Sequence, residues 1–260
     1  VVRGSLTGSV IGNLLLVLGF SLLFGGRGEL DRTSSFLSFG LVLGATALFL
    51  IPSVPGWEGD PERRSLAVAS LPVSIVLLLA YVGVTWFSLR RHRELHSSDD
   101  PSTMKAWSLR ASLLVLAAAT VVTAVVAEIL VGSIETFAEE LGLSDFFVAA
   151  VIVAIVGNAA EHGGAVVVAA RGKIRLAAEI ALASAAQVAV FLIPAVQILS
   201  WAVTPALPLS FRPVEIGALA GATVFTAIVL FRGRSSRLRG ALLIAAYVGV
   251  AVAFFLSGDR

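Results

Sequence analysis

Four carboxylates of this 260-residue chain stand inside or beside long apolar runs: Glu128, Glu161, Glu179 and Glu215. A charge in hydrocarbon costs at least about 2.5–3.5 kcal/mol on insertion scales, so each needs a reason for its place. Glu215 follows Pro213 at the start of a run and lies close to Arg212, which suits an interfacial residue at a helix N-terminus. Glu179 comes one turn after Arg175, and an i, i+4 pair accounts for it. Glu128 comes late in its run, with Glu135, Glu139 and Glu140 just beyond and no Lys or Arg from 111 to 170. That stretch reads equally well as a negative vestibule that concentrates cations and as a solvated loop.

Glu161 is of another kind. It stands in mid-run within Gly157-Asn158-Ala159-Ala160-Glu161-His162-Gly163-Gly164. Asn158 and Glu161 are three residues apart and share a helix face. The small residues let a neighbouring helix approach and permit a local break that frees backbone carbonyls. A carboxylate, an amide oxygen and freed carbonyls are hard ligands, suited to Ca²⁺, Na⁺ or a competing proton. The competing reading is a buried carboxyl that only holds helices together. It leaves the amide and the paired glycines unexplained. His162 points roughly 100° away from Glu161; it suits a proton relay or a helix-packing contact about equally. The chain has three histidines and no cysteine, which excludes thiolate chemistry, disulfides and a histidine-rich zinc site. His92 and His96, four apart, belong to a polar stretch better read as a solvated linker.

A second amide lies in Ala183-Ser184-Ala185-Ala186-Gln187, ahead of an apolar run ending at Pro194. A buried Gln needs partners, so Gln187 is a second candidate ligand. The chain opens with a like pattern, Gly8-Ser9-Val10-Ile11-Gly12-Asn13, followed by Leu14 to Leu18. A shift of 174 residues carries Asn13 onto Gln187, so small residues, one amide and an apolar tail occur twice. Asn13 is a candidate on that ground.

These residues must be positioned by membrane helices. The chain is 57% apolar and 14% charged, with mean hydropathy +0.94 and net charge +2. Soluble domains run at about 45–50% and about 25%, so a water-soluble globule, a disordered chain and a nucleic-acid binder are excluded. Eight runs meet the roughly 20-residue length of a membrane helix: about 5–24, 36–53, 66–89, 108–132, 145–169, 176–201, 214–231 and 239–256. No ten-residue alternation of a β-barrel is present. The expected fold is therefore all-α and polytopic. Alternate loops carry fourteen and five of the Lys and Arg residues, which makes the richer side cytoplasmic. Asn13 and Gln187 then sit in helices entered from opposite sides, the pattern of inverted repeats around a midplane site. The polar stretch Arg90–Trp107 divides the chain into three runs and five, so the expected units are 1–89, a cytoplasmic linker 90–107, and 108–260.

The string from Gly157 to Lys173, with Ala183 to Pro194 after it, resembles the second α-repeat of the cation/proton exchangers of the calcium/cation antiporter superfamily. Ser5–Gly26 resembles the tail of that family's first α-repeat, and Ala127–Glu135 the helix before the second. The resemblance implies an eleven-helix antiporter of two inverted five-helix halves. This chain would hold the last three helices of the first half and all of the second, and the first-repeat carboxylate would fall about 13 residues before Val1. It implies Ca²⁺/H⁺ antiport, with Glu161 as ion and proton ligand and Asn158 beside it on the metal. Gln187, Asn13, Ser9 and Ser184 would complete the site, and Glu128, Glu135 and His162 would serve a vestibule or proton path. No cofactor is implied beyond the transported ions. The implied partners are the bilayer, Ca²⁺ or another cation, and protons. The implied location is a bacterial-type plasma membrane. Ala127, where the family commonly has Ser, and Ala183, where it has Gly, depart from the pattern. Exchange of Na⁺ or K⁺ for protons, a passive channel and a fragment inactive on its own stay open. The sequence holds no paired catalytic constellation, so an enzyme is not expected.

Overall fold

The first helix sets the architecture. α1, Val2–Gly25, has 78% of its most apolar stretch buried, more than any other membrane-length helix. Val10, Leu14, Leu15, Leu18 and Leu22 have no or almost no exposed surface. A helix enclosed this far needs close approaches, and glycine supplies them. A Cβ on Gly8 would lie 1.9 Å from the carbonyl oxygen of Ala150, and one on Gly240 would lie 2.5 Å from that of Gly19.

The computed structural model describes residues 1–57, 63–93, 108–203 and 205–258; the side chains of Glu135, Glu161 and His162 are among those outside the description. After α1 come α2, Arg32–Trp57; α3, Arg63–Arg93; α4, Leu109–Leu141; α5, Asp145–Gly157; α6, Ala159–Ala170; α7, Ile174–Ala202; α8, Pro213–Leu230; and α9, Arg237–Ser257. Ser108, Ser144 and Ser236 cap α4, α5 and α9, each hydroxyl accepting a backbone N–H three residues on. Gly142, at φ 63°, ends α4 in the left-handed conformation that glycine adopts without strain. Two short strands, β1 at Gly28–Glu29 and β2 at Arg234–Ser235, pair antiparallel and tie the α1–α2 loop to the α8–α9 loop.

Seven described helices are long and apolar enough to cross a membrane, with mean hydropathies from 1.8 to 2.5. They answer to seven of the eight runs expected from the sequence. The run 145–169 is divided into α5 and α6 at Asn158, which has φ −101° and ψ 8°. The reason is local. The Asn158 side-chain amide donates to the Ala154 carbonyl at 2.9 Å and competes for the acceptor that an unbroken helix would give its backbone. α4 also runs nine residues past the expected end at 132, so Glu135, Glu139 and Glu140 lie on a helix and not in a loop. The linker residues 94–107 lie outside the described residues.

Between α7 and α8 the chain is extended, yet Leu209 and Phe211 are buried. Buried backbone needs partners, and α2 and α3 provide them. Ser70 Oγ accepts the Leu209 N–H at 2.9 Å, Ser53 Oγ accepts the Phe211 N–H at 2.9 Å, and Trp57 Nε1 donates to the Phe211 carbonyl at 2.6 Å.

Candidate functional site

Every amide picked out by the sequence lies at or next to a departure from α-helix. Asn13 is in a π-helical stretch of α1, Gly12–Val17; Asn158 is the break between α5 and α6; Gln187 immediately precedes a π-helical stretch of α7, Val188–Leu192. Such stretches change the main-chain pairing and turn side chains off the regular face. The same 174-residue shift that matches Asn13 to Gln187 carries 12–17 onto 186–191, over the π stretch of α7. The sequence repeat is thus also a repeat of backbone irregularity.

Four of the expected residues meet. Asn158 Nδ2 donates to Ser9 Oγ at 2.7 Å. Asn13 Nδ2 donates to Ser184 Oγ at 3.3 Å and to the Ser9 carbonyl at 3.1 Å. The Asn158–Ser9 and Asn13–Ser184 bonds join residues about 150–170 apart in sequence and link the first part of the chain to the second. Asn13 is buried, and Ser9, Asn158 and Ser184 are half-buried. This geometry needs the close crossing of α1 and α5 at Gly8 and Ala150. Glu161 follows Asn158 by three residues on α6, and His162 comes next; their side chains lie outside the described residues.

Other expectations are corrected. Gln187 is exposed, in line with Ile180, Ala183 and Phe191 along one open face of α7. It makes no side-chain hydrogen bond among the described residues. Among the described residues no helix packs on the glycines of the Glu161 segment: nothing described lies within 4 Å of a Cβ placed on Gly157, Gly163 or Gly164. The close approaches fall on Gly8, Gly19 and Gly240 instead. Glu128 is exposed on α4, and no described bond links it to the four joined residues. α4 meets α5 through Ile134, Ala138 and Val148, and Glu135 comes next to that contact with its side chain outside the description.

Glu215 does stand in the first turn of α8, where its carboxylate accepts the Arg212 N–H at 2.8 Å. It is, however, only 1% exposed, and its other oxygen accepts from Thr7 of α1 at 3.4 Å. The sequence showed its place on the helix but not the partner across the bundle. Glu179 pairs with Arg175 at 3.1 Å as expected, and Arg175 also reaches Asp31 at 2.6 Å. Asp31 is held below the usual carboxylate range, first by the Ser34 N–H and, among further contributions, by the Arg175 charge. Among the described residues no three His, Asp or Glu cluster to hold a metal.

The chain is similar over nearly its whole length to known proteins. The family described as sodium/calcium exchanger protein matches residues 1–90 and 111–256. A Bacillus subtilis (strain 168) protein named Ca²⁺/H⁺ antiporter ChaA is 37% identical over 267 residues, covering 98% of this chain and 75% of that protein. Vacuolar cation/proton exchanger 1c of Oryza sativa subsp. japonica is 35% identical over 98% of this chain, which spans 62% of the rice protein. The structure of native YfkE superposes with a TM-score of 0.82 at 36% identity, over 97% of this chain and 74% of that one. With the apolar helices, the joined repeats and these matches together, the chain belongs to the sodium/calcium exchanger protein family of integral membrane proteins.

Proposed function

We propose that this protein exchanges Ca²⁺ for protons across a membrane, through a site built on Glu161, Asn158 and Asn13. One observation carries the reading: the amide of Asn158 donates to Ser9 and the amide of Asn13 donates to Ser184, so an amide of each repeat is bonded to a serine of the other inside an apolar bundle. The names of the relatives, a Ca²⁺/H⁺ antiporter and a cation/proton exchanger, supply the ions. Two amide oxygens and a carboxylate form a hard donor set that suits Ca²⁺. Glu161 is the group that takes a proton when Ca²⁺ leaves, because a carboxylate in an apolar setting resists staying charged without a counter-ion. Ser184 accepts from the Asn13 amide at 3.3 Å. Glu128, Glu135 and His162 belong to the approach path in this reading. The linker 90–107 is then cytoplasmic and the membrane a bacterial-type plasma membrane, in keeping with the placement of the basic residues.

The test is proton-gradient-driven uptake of ⁴⁵Ca into vesicles carrying the full-length protein. Glu161→Gln is expected to abolish coupled uptake, and uptake at the wild-type rate in that variant would refute the assignment. Competition by Na⁺ or K⁺ in the same vesicles separates a Ca²⁺ exchanger from one for monovalent ions.

A further inference from the structure

Ser9 touches both joined amides, and its hydrogen-bond directions are determined by chemistry. Its hydroxyl has one hydrogen, and that hydrogen goes to the Ser5 carbonyl at 2.9 Å. Towards Asn158 the Ser9 oxygen can therefore only accept, and it does so from Nδ2 at 2.7 Å. The second N–H of Asn158 goes to the Ala154 carbonyl at 2.9 Å. The amide of Asn13 spends its N–H groups on the Ser9 carbonyl at 3.1 Å and Ser184 Oγ at 3.3 Å. Backbone carbonyls are acceptors only. The NH₂ end of each amide must face them, so neither side chain can be turned over without setting oxygen against oxygen. No described residue donates to either Oδ1.

We infer that Ser9 is a positioning residue of the exchange site and not an ion ligand: through its hydroxyl and its carbonyl it holds the amides of Asn158 and Asn13 with their NH₂ groups turned inward, leaving both Oδ1 atoms for the cation. This rests on the proposed exchange site and changes the role of one of its members. An amide free to rotate would present NH₂ to a cation part of the time and repel it. The Ser9 carbonyl is independent of its side chain, so a substitution at Ser9 releases Asn158 and leaves Asn13 held.

A double-mutant cycle on the full-length purified protein tests this, read as equilibrium binding of ⁴⁵Ca²⁺. Ser9→Ala is expected to weaken binding about five- to tenfold, the scale of one hydrogen bond to a ligand. In an Asn158→Ala background the same change is expected to alter binding less than about twofold, because its only route to the ion is gone. Ser9→Thr, which keeps the hydroxyl, is expected to restore wild-type binding. Thermal midpoints of the variants show that each is folded. Equal weakening by Ser9→Ala in both backgrounds would identify Ser9 as a direct ligand and overturn the inference, as would unchanged binding in both. A wild-type protein that binds and exchanges no Ca²⁺ overturns the proposed function itself, an outcome distinct from either.

Discussion

Replacing Gly8 by Ala tests the packing on which the site depends. The added Cβ would lie 1.9 Å from the Ala150 oxygen, 2.7 Å from its carbonyl carbon and 2.7 Å from Ala154 Cβ. Two of those atoms are backbone, so no side-chain rotation relieves the contact. Reaching an ordinary contact of 3.4 Å requires α5 to move about 1.5 Å away from α1. Asn158 ends α5 and holds Ser9 at 2.7 Å; a displacement of that size takes the pair beyond 3.5 Å and breaks the bond. Overpacking costs roughly 1–3 kcal/mol and the lost hydrogen bond about 1 kcal/mol more. At about 2–4 °C per kcal/mol for a chain of this size, the thermal midpoint in detergent is expected to fall by roughly 4–16 °C. Ca²⁺ binding is expected to weaken alongside it. Gly163→Ala is the matched control: its Cβ meets nothing described within 4 Å, and the midpoint is expected to hold or rise slightly. A Gly8→Ala protein with the wild-type midpoint and wild-type Ca²⁺ binding would refute the claim that this crossing positions Asn158.

Three further outcomes are expected. Ser53→Ala leaves the buried Phe211 N–H without its acceptor, at a cost of about 1–3 kcal/mol, and hydrogen exchange at Phe211 should speed up while that of α9 does not. The carboxyl of Asp31 is lowered in the folded protein, so its contribution is present above the ordinary carboxylate pKa and is lost as pH falls through the lowered value. Exchange at the Ser34 N–H, after correction for the intrinsic rate, should therefore lose protection on acidification, and Asp31→Asn should remove that pH dependence. Breaking the Arg175–Asp31 pair by Arg175→Gln should matter little to stability, since the arginine is largely exposed, and any effect should shrink in high salt.

The helices were legible because length and apolarity alone decide whether a run can span a bilayer. Seven runs became seven membrane-length helices, and the eighth broke at the Asn158 that the sequence had singled out. The candidate site was legible in part. Asn13 and Asn158 were found by residue type and by the 174-residue repeat, Ser9 and Ser184 through the family resemblance, and the structure joins them. Gln187 was expected inside and lies on an open face, and Glu215 stands at its expected helix N-terminus but with an unforeseen partner, Thr7, across the bundle. Both gaps have one source. A membrane helix is apolar on every side, so its sequence carries no amphipathic stripe to say which face packs.

The sequence by itself determined that this is a polytopic membrane protein, where its amides and carboxylates interrupt the helices, and that one pattern is used twice. Those are matters of composition and spacing, and the bilayer enforces them on each segment separately. Only the tertiary structure decided that α1 lies at the centre, that Gly8 rather than the glycines around Glu161 makes the close crossing, and which end of each amide faces inward. Lipid is as apolar as a protein core, so hydrophobicity cannot choose among helix partners. Steric fit at a few small residues and the pairing of a few polar atoms make that choice, and both exist only once distant segments have met.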